Sequence, residues 1–152
     1  MTRRVLVLIA VRVLVRQPVW VVELSRDAEQ LDMWWKVHVH EIGDDTRGLW
    51  FGLLEQIEPD GSHRFTMYVA GTPDFDPNDG GDWACEYTWW SPDRYLSLDD
   101  LATFGSAHWT AALEHAIRVV REVAPWETAP PTVVGAGVGF DEGDMHVVWA
   151  RP

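Results

Sequence analysis

Leu49-Trp50-Phe51-Gly52-Leu53-Leu54-Glu55-Gln56-Ile57 is followed by Pro59-Asp60-Gly61-Ser62 and then by His63-Arg64-Phe65-Thr66-Met67-Tyr68-Val69. The first run is bulky and apolar, the character of a strand that sits inside a sheet. At the break, Pro59 fixes φ and Gly61 supplies a positive φ, which is turn chemistry. The second run alternates, with Phe65, Met67 and Val69 on one side. Two such runs around such a turn predict a β-hairpin.

Downstream, a loop runs from Gly71 to Asp82. Trp83, Cys85, Tyr87 and Trp89 then recur at period two and predict a third strand. Ser91-Pro92-Asp93 turns the chain, and Arg94 to Leu98 fits a short fourth strand. Between a candidate N-cap at Ser106 and Pro125, the residues Trp109, Leu113, Ala116, Ile117, Val120 and Ala124 recur at helical spacing. Glu114, His115, Arg118, Arg121 and Glu122 fall on the opposite, solvent side, with Glu114 and Arg118 as an i,i+4 pair. Val133 to Phe140 and Met145 to Trp149, around Asp141-Glu142-Gly143-Asp144, predict a terminal hairpin.

Upstream, Ser25 can cap a helix over about 26–36, with Asp27 and Glu29 near its positive end. The β-branched Val37 and Val39 argue the other way, for a strand from Trp35 to Ile42, but the helix is the favoured reading. The expected fold is α+β: one domain with a mostly antiparallel sheet and one or two helices packed on one face.

The first residues differ in character. Residues 1–20 hold four Arg and no acid, so the remaining eight basic and 24 acidic residues leave the rest at −16. Val5 to Val15 is nearly all aliphatic, too short to span a membrane and interrupted by Arg12. At period two it forms a strand with Val5, Val7, Ile9, Val11, Val13 and Val15 on one face. The alternative is an upstream extension, with the true start at Met33. The expected organisation is therefore an anomalous segment 1–32 and a domain over 33–152.

The 152 residues have a net charge of −12, 47% apolar content and a single cysteine, Cys85. That length can bury a core without disulfides, and one cysteine excludes an internal bridge. The acidic balance argues against nucleic acid or an anionic membrane as partner and suits a basic one. The ten Trp exceed what an ordinary core needs, and Trp is enriched at interfaces. The expected location is the cytoplasm.

Candidate chemistry is sparse. Asp74-Phe75-Asp76-Pro77-Asn78-Asp79-Gly80-Gly81-Asp82 has the alternating oxygens of a calcium loop. However, its sixth position is Asp79, not Gly, and its twelfth is Cys85, not Glu. A solvated acidic loop, or an acidic epitope, is the better reading. His38 and His40 would share a face of a strand and bind zinc or iron if Glu41, His63 or His146 joined them. His108 and His115 read as surface residues, two turns apart on one helix. Cys85 lies on an apolar strand face and reads as a buried, inert thiol. Gly135-Ala136-Gly137-Val138-Gly139 lacks the Lys of a phosphate loop and reads as a glycine-rich strand.

Tyr68-Val69-Ala70-Gly71-Thr72, Trp89-Trp90 and Val138-Gly139-Phe140-Asp141-Glu142-Gly143-Asp144-Met145-His146-Val147-Val148-Trp149 resemble stretches of small, acidic, Trp-rich bacterial proteins. Some of those resemble immunity proteins of toxin systems. The resemblance covers about Leu49 to Trp149 and implies a non-enzymatic protein-binding module that neutralises a basic toxin. No cofactor and no catalytic residue is expected. The expected contact patch is Asp74, Asp76, Asp79, Asp82, Trp83 and Trp90, with Trp83 and Trp89 on one strand face and Trp90 on the other. The alternative is a small metal-dependent enzyme using His38, His40 and a carboxylate.

Overall fold

The computed structural model describes residues 23–91, 95–143 and 145–152. The expected Val5–Val15 strand, the Ser91-Pro92-Asp93 turn and part of the Arg94–Leu98 strand fall outside those residues. The hairpin forms as expected and runs longer. Strand β1, Gly48–Ile57, pairs antiparallel with β2, His63–Thr72, in unbroken register from Gly48 opposite Thr72 to Ile57 opposite His63. Gly61 adopts φ 81°, and the Asp60 carboxylate accepts from both the backbone N–H (2.9 Å) and the hydroxyl (2.6 Å) of Ser62. Those bonds hold the Asp60 carboxyl below its usual pKa.

Helix α1 spans Arg26–His38, β3 is the short pair Trp89–Trp90, and α2 spans Trp109–Val123. Strands β4, Gly135–Phe140, and β5, Met145–Ala150, form the terminal hairpin, and the glycine-rich run is a strand. The described strands form one sheet in the order β3-β2-β1-β4-β5. Three of its pairings are antiparallel and the central β1–β4 pairing is parallel. The chain reaches β4 from the β3 edge by way of α2, so β4 enters beside β1 in the same direction. The result is a single α+β domain with both helices on one face.

Alternation divides the sheet. Leu49, Phe51, Leu53, Phe65, Met67, Val69, Ala136 and Val138 face the helices and meet Ala28, Leu31, Trp35, Ala112, Ala116 and Val119. The other face carries a smaller cluster built on Trp50, Tyr68, Ala70, Trp83 and Ala84. Glycines make room for it. A side chain at Gly52 would collide with the Tyr68 ring, and one at Gly135 with the Phe75 ring. The aromatics therefore lie close on the sheet backbone.

Several local expectations change. The helix favoured over about 26–36 forms but runs on through His38 into a 3₁₀ turn, Val39–Glu41, and the alternative Trp35–Ile42 strand is absent. Ser25 makes no side-chain cap; its N–H and hydroxyl donate to the Glu122 carboxylate of α2 at 2.6 and 2.9 Å. Ser106 lies in a 3₁₀ turn ahead of α2, and its hydroxyl bonds Glu55, which with His63 lowers the Glu55 pKa. The helix ends where expected, at Ala124 (φ 48°) before Pro125. Its buried face is rotated toward Ala112, His115 and Val119, leaving Trp109 53% exposed.

His115 is thus a core residue and not a surface one. Its Nε2 lies 2.7 Å from Asp27 Oδ2, and Asp27 is wholly buried. Arg118 takes no part in an i,i+4 bond to Glu114; its Nη2 sits 2.9 Å from His115 Nδ1. A guanidinium only donates, so Nδ1 must accept and Nε2 must donate to Asp27. The Asp27 carboxylate also accepts the N–H groups of Asp100 and Leu101, both at 2.9 Å. One side chain of α1 thereby ties down α2 and the turn at Leu101–Thr103. The division expected at residue 32 falls inside α1. It would remove Asp27, Ala28 and Leu31 from the core, so residues 26–32 belong to the domain.

Candidate partner-binding cleft

The third strand expected from Trp83 to Trp89 does not form. Gly80 and Gly81 both take positive φ, 76° and 104°, and turn the chain. Asp79 then caps a 3₁₀ turn, Asp82–Cys85, by accepting Gly81 N–H (2.9 Å) and Trp83 N–H (3.0 Å). This local capping overrides the period-two pattern. Trp83 is consequently buried, 4% exposed, with its ring against Phe75 (centroids 4.8 Å apart) and Trp50 (6.2 Å). It packs beneath the acidic loop with little of its surface exposed. It does not share a face with Trp89, which packs on the helix side near Trp34.

Trp90 lies on the opposite face from Trp89, as neighbours in a strand must. It stacks flat on Tyr68, with centroids 5.1 Å apart and planes 2° from parallel, and meets the Tyr87 ring edge-on at 4.7 Å. Beneath this stack, Trp50 Nε1–H donates to the Tyr68 hydroxyl at 2.8 Å, and the Tyr68 hydroxyl donates to Asp141 Oδ1. Tyr68 has only one proton to give, so at the 3.2 Å contact Tyr87 is the donor. Burial, and then the bond to Asp141, push the Tyr68 pKa far above the ordinary phenol range. Burial raises Tyr87 as well, with the charge of Asp141 acting in the same direction.

Two adjoining clefts open at this corner. One, of about 480 Å³, is lined by residues including Trp50, Asp82, Cys85, Tyr87, Asp141 and Met145. The other, of about 280 Å³, is lined by Asp74, Asp79, Asp82, Trp83 and Glu86 among others. They share Asp82 and Cys85. Five carboxylates border them, and among the described residues no Lys, Arg or His lines either one. A larger opening of about 670 Å³ between α2 and β5 holds the exposed Arg121 and His146, but no set of buried polar groups converges on it.

Of the residues expected to form a patch, Asp74, Asp76 and Asp82 are exposed and Asp79 and Trp90 are half-buried. Asp76 accepts Asn78 N–H at 2.9 Å, so part of the calcium-like alternation holds backbone instead. Cys85 is exposed, contrary to the buried thiol expected of a strand residue. His38 and His40 share no strand face. His38 ends α1 against the Trp34 ring and bonds Glu41 at 3.1 Å, while His63 bonds Glu55 at 2.9 Å. Among the described residues, no three His, Cys, Asp or Glu side chains are placed to hold a metal ion. No described helix is long and apolar enough to cross a membrane.

The sequence reading missed Trp50, Tyr68, Tyr87, Glu86 and Asp141. A signal for two of them was present. If Leu49, Phe51 and Leu53 face the core, Trp50 must face away, as must Tyr68 between Met67 and Val69. Amphipathic aromatics on the outer face of a hairpin mark a second surface. No family model, curated protein or solved structure matches the chain.

Proposed function

We propose that this protein is a non-enzymatic binding module for a basic protein partner, acting in the cytoplasm as an immunity protein that neutralises a bacterial toxin. The supporting observation is the pair of adjoining clefts bordered by Asp74, Asp79, Asp82, Glu86 and Asp141, with no basic residue among the described residues that line them. On a chain of net charge −12 that corner concentrates negative potential, which speeds the approach of a cationic protein. The aromatic floor beneath it supplies rigid apolar surface that slows release. The resemblance of the Leu49–Trp149 region to small acidic, Trp-rich proteins points the same way.

Co-expression tests the reading. The reading expects a gene for a basic toxin beside this one, and a cell producing that toxin should survive only when this protein is also made. The purified pair should form a stoichiometric complex whose association slows as salt rises. Absence of protection, or association indifferent to salt, contradicts the proposal.

A further inference from the structure

The larger of the two clefts has features that the charge of the loop does not explain. Its carboxylate, Asp141, is exposed yet held in one orientation. The buried Tyr68 hydroxyl holds Oδ1, and Tyr68 is itself held by Trp50 Nε1–H. Tyr68 is 2% exposed and Trp50 4%, so both anchors are fixed by packing. No described group donates to Asp141 Oδ2. The Tyr87 ring, 39% exposed and kept edge-on to Trp90, lines the same cleft. Met145 and Phe140 supply apolar wall, and Asp82 places a second carboxylate at the rim.

We propose that this cleft is the receptor for a single arginine side chain of the partner. The proposal rests on the binding-module reading above and names the chemistry of its anchor. A guanidinium is planar, weakly hydrated and carries five N–H donors in a fixed fork. It matches what the cleft offers: an oriented carboxylate for paired hydrogen bonds, a flat aromatic ring for stacking, and apolar wall for the methylene stem. A lysine ammonium satisfies the charge but not the plane. Tyr68 is a positioning residue here: it orients Asp141 and touches no ligand.

The probe is N-acetyl-arginine amide, titrated into the full chain and followed by NMR. Expected are saturable shifts of the Trp50 indole N–H and of the Gly80 and Gly81 amides. The N-acetyl-lysine amide should bind roughly tenfold more weakly, and the uncharged citrulline analogue should not saturate. Asp141→Asn should abolish saturation. If that variant proves unstable, Asp82→Asn should still weaken binding several-fold. Tyr68→Phe should leave the fold intact by circular dichroism, weaken the arginine probe several-fold and narrow its preference over the lysine probe, because Asp141 is no longer held in one orientation. Equal shifts with the citrulline analogue, or saturation unchanged in both Asp variants, overturns the arginine site. Cell protection measured on Asp141→Asn separates the two claims. Protection lost with the probe supports both. Probe binding lost with full protection retained overturns the arginine anchor alone. The binding-module reading is judged separately, on the protection and salt-dependent association of the unaltered protein.

Discussion

Replacing Asp27 with Ala removes one acceptor from three donors at once: Asp100 N–H, Leu101 N–H and His115 Nε2–H. Each donor left in the core without a partner costs about 1–3 kcal/mol, although local relaxation and entering water recover part of it. We therefore expect a loss of about 4 kcal/mol, a large share of the ~5–15 kcal/mol typical of a domain. For a chain of this length that lowers the melting temperature by roughly 8–16 °C. His115→Ala leaves both backbone bonds intact and should cost only about 1–2 kcal/mol. The assay is urea unfolding followed by Trp fluorescence, with a double-mutant cycle between the two positions. A coupling of about 1–3 kcal/mol is expected. A cost below about 1 kcal/mol for Asp27→Ala, or additive effects of the two substitutions, refutes the view that this side chain ties α1 to α2.

Three further outcomes follow from the same packing. A chain beginning at Met33 loses Asp27, Ala28 and Leu31 from the core and should be insoluble or molten, with exposed apolar surface detected by dye binding and no sharp thermal transition. Gly52→Ala places a methyl group where the Tyr68 ring lies, should cost about 1–3 kcal/mol, and should change the near-ultraviolet circular dichroism of the aromatic cluster. Tyr68 is raised far above the unfolded phenol value of about 10, so above that pH the unfolded chain releases a proton that the native one keeps. Stability should be constant with respect to this group below pH ~10 and fall as pH rises beyond it. The phenolate absorbance of Tyr68 should appear only on unfolding, and Tyr68→Phe should flatten the alkaline decline.

The hairpin, α2 and the terminal hairpin were legible because each rests on a local signal: Pro59-Asp60-Gly61-Ser62, the helical spacing before Pro125, and the turn after Phe140. Two limits of local reading explain the rest. Trp83 to Trp89 has a perfect strand period, but Asp79 and two positive-φ glycines commit the chain to a 3₁₀ turn first. His115 falls on a polar helical stripe, yet a partner 88 residues away makes its burial tolerable. No window of sequence contains both Asp27 and His115. The cleft was half legible for the same reason. Its acidic loop is contiguous from Asp74 to Asp82, whereas Asp141, Trp50 and Tyr68 reach it only because β4 inserts beside β1. The parallel pairing that makes this possible joins strands more than 80 residues apart and leaves no trace in local periodicity.

The central claim, that the acidic corner captures a basic protein, is tested most directly by association kinetics with the basic toxin that the reading expects to be encoded beside this protein, across a range of ionic strengths. The unaltered protein and a variant with Asp74, Asp82 and Glu86 changed to their amides are compared. The account predicts that the unaltered protein associates faster by roughly tenfold or more at low salt, that its rate falls steeply as salt rises, and that the variant shows a flat, slower profile with a similar dissociation rate. Identical salt profiles for the two proteins would contradict it.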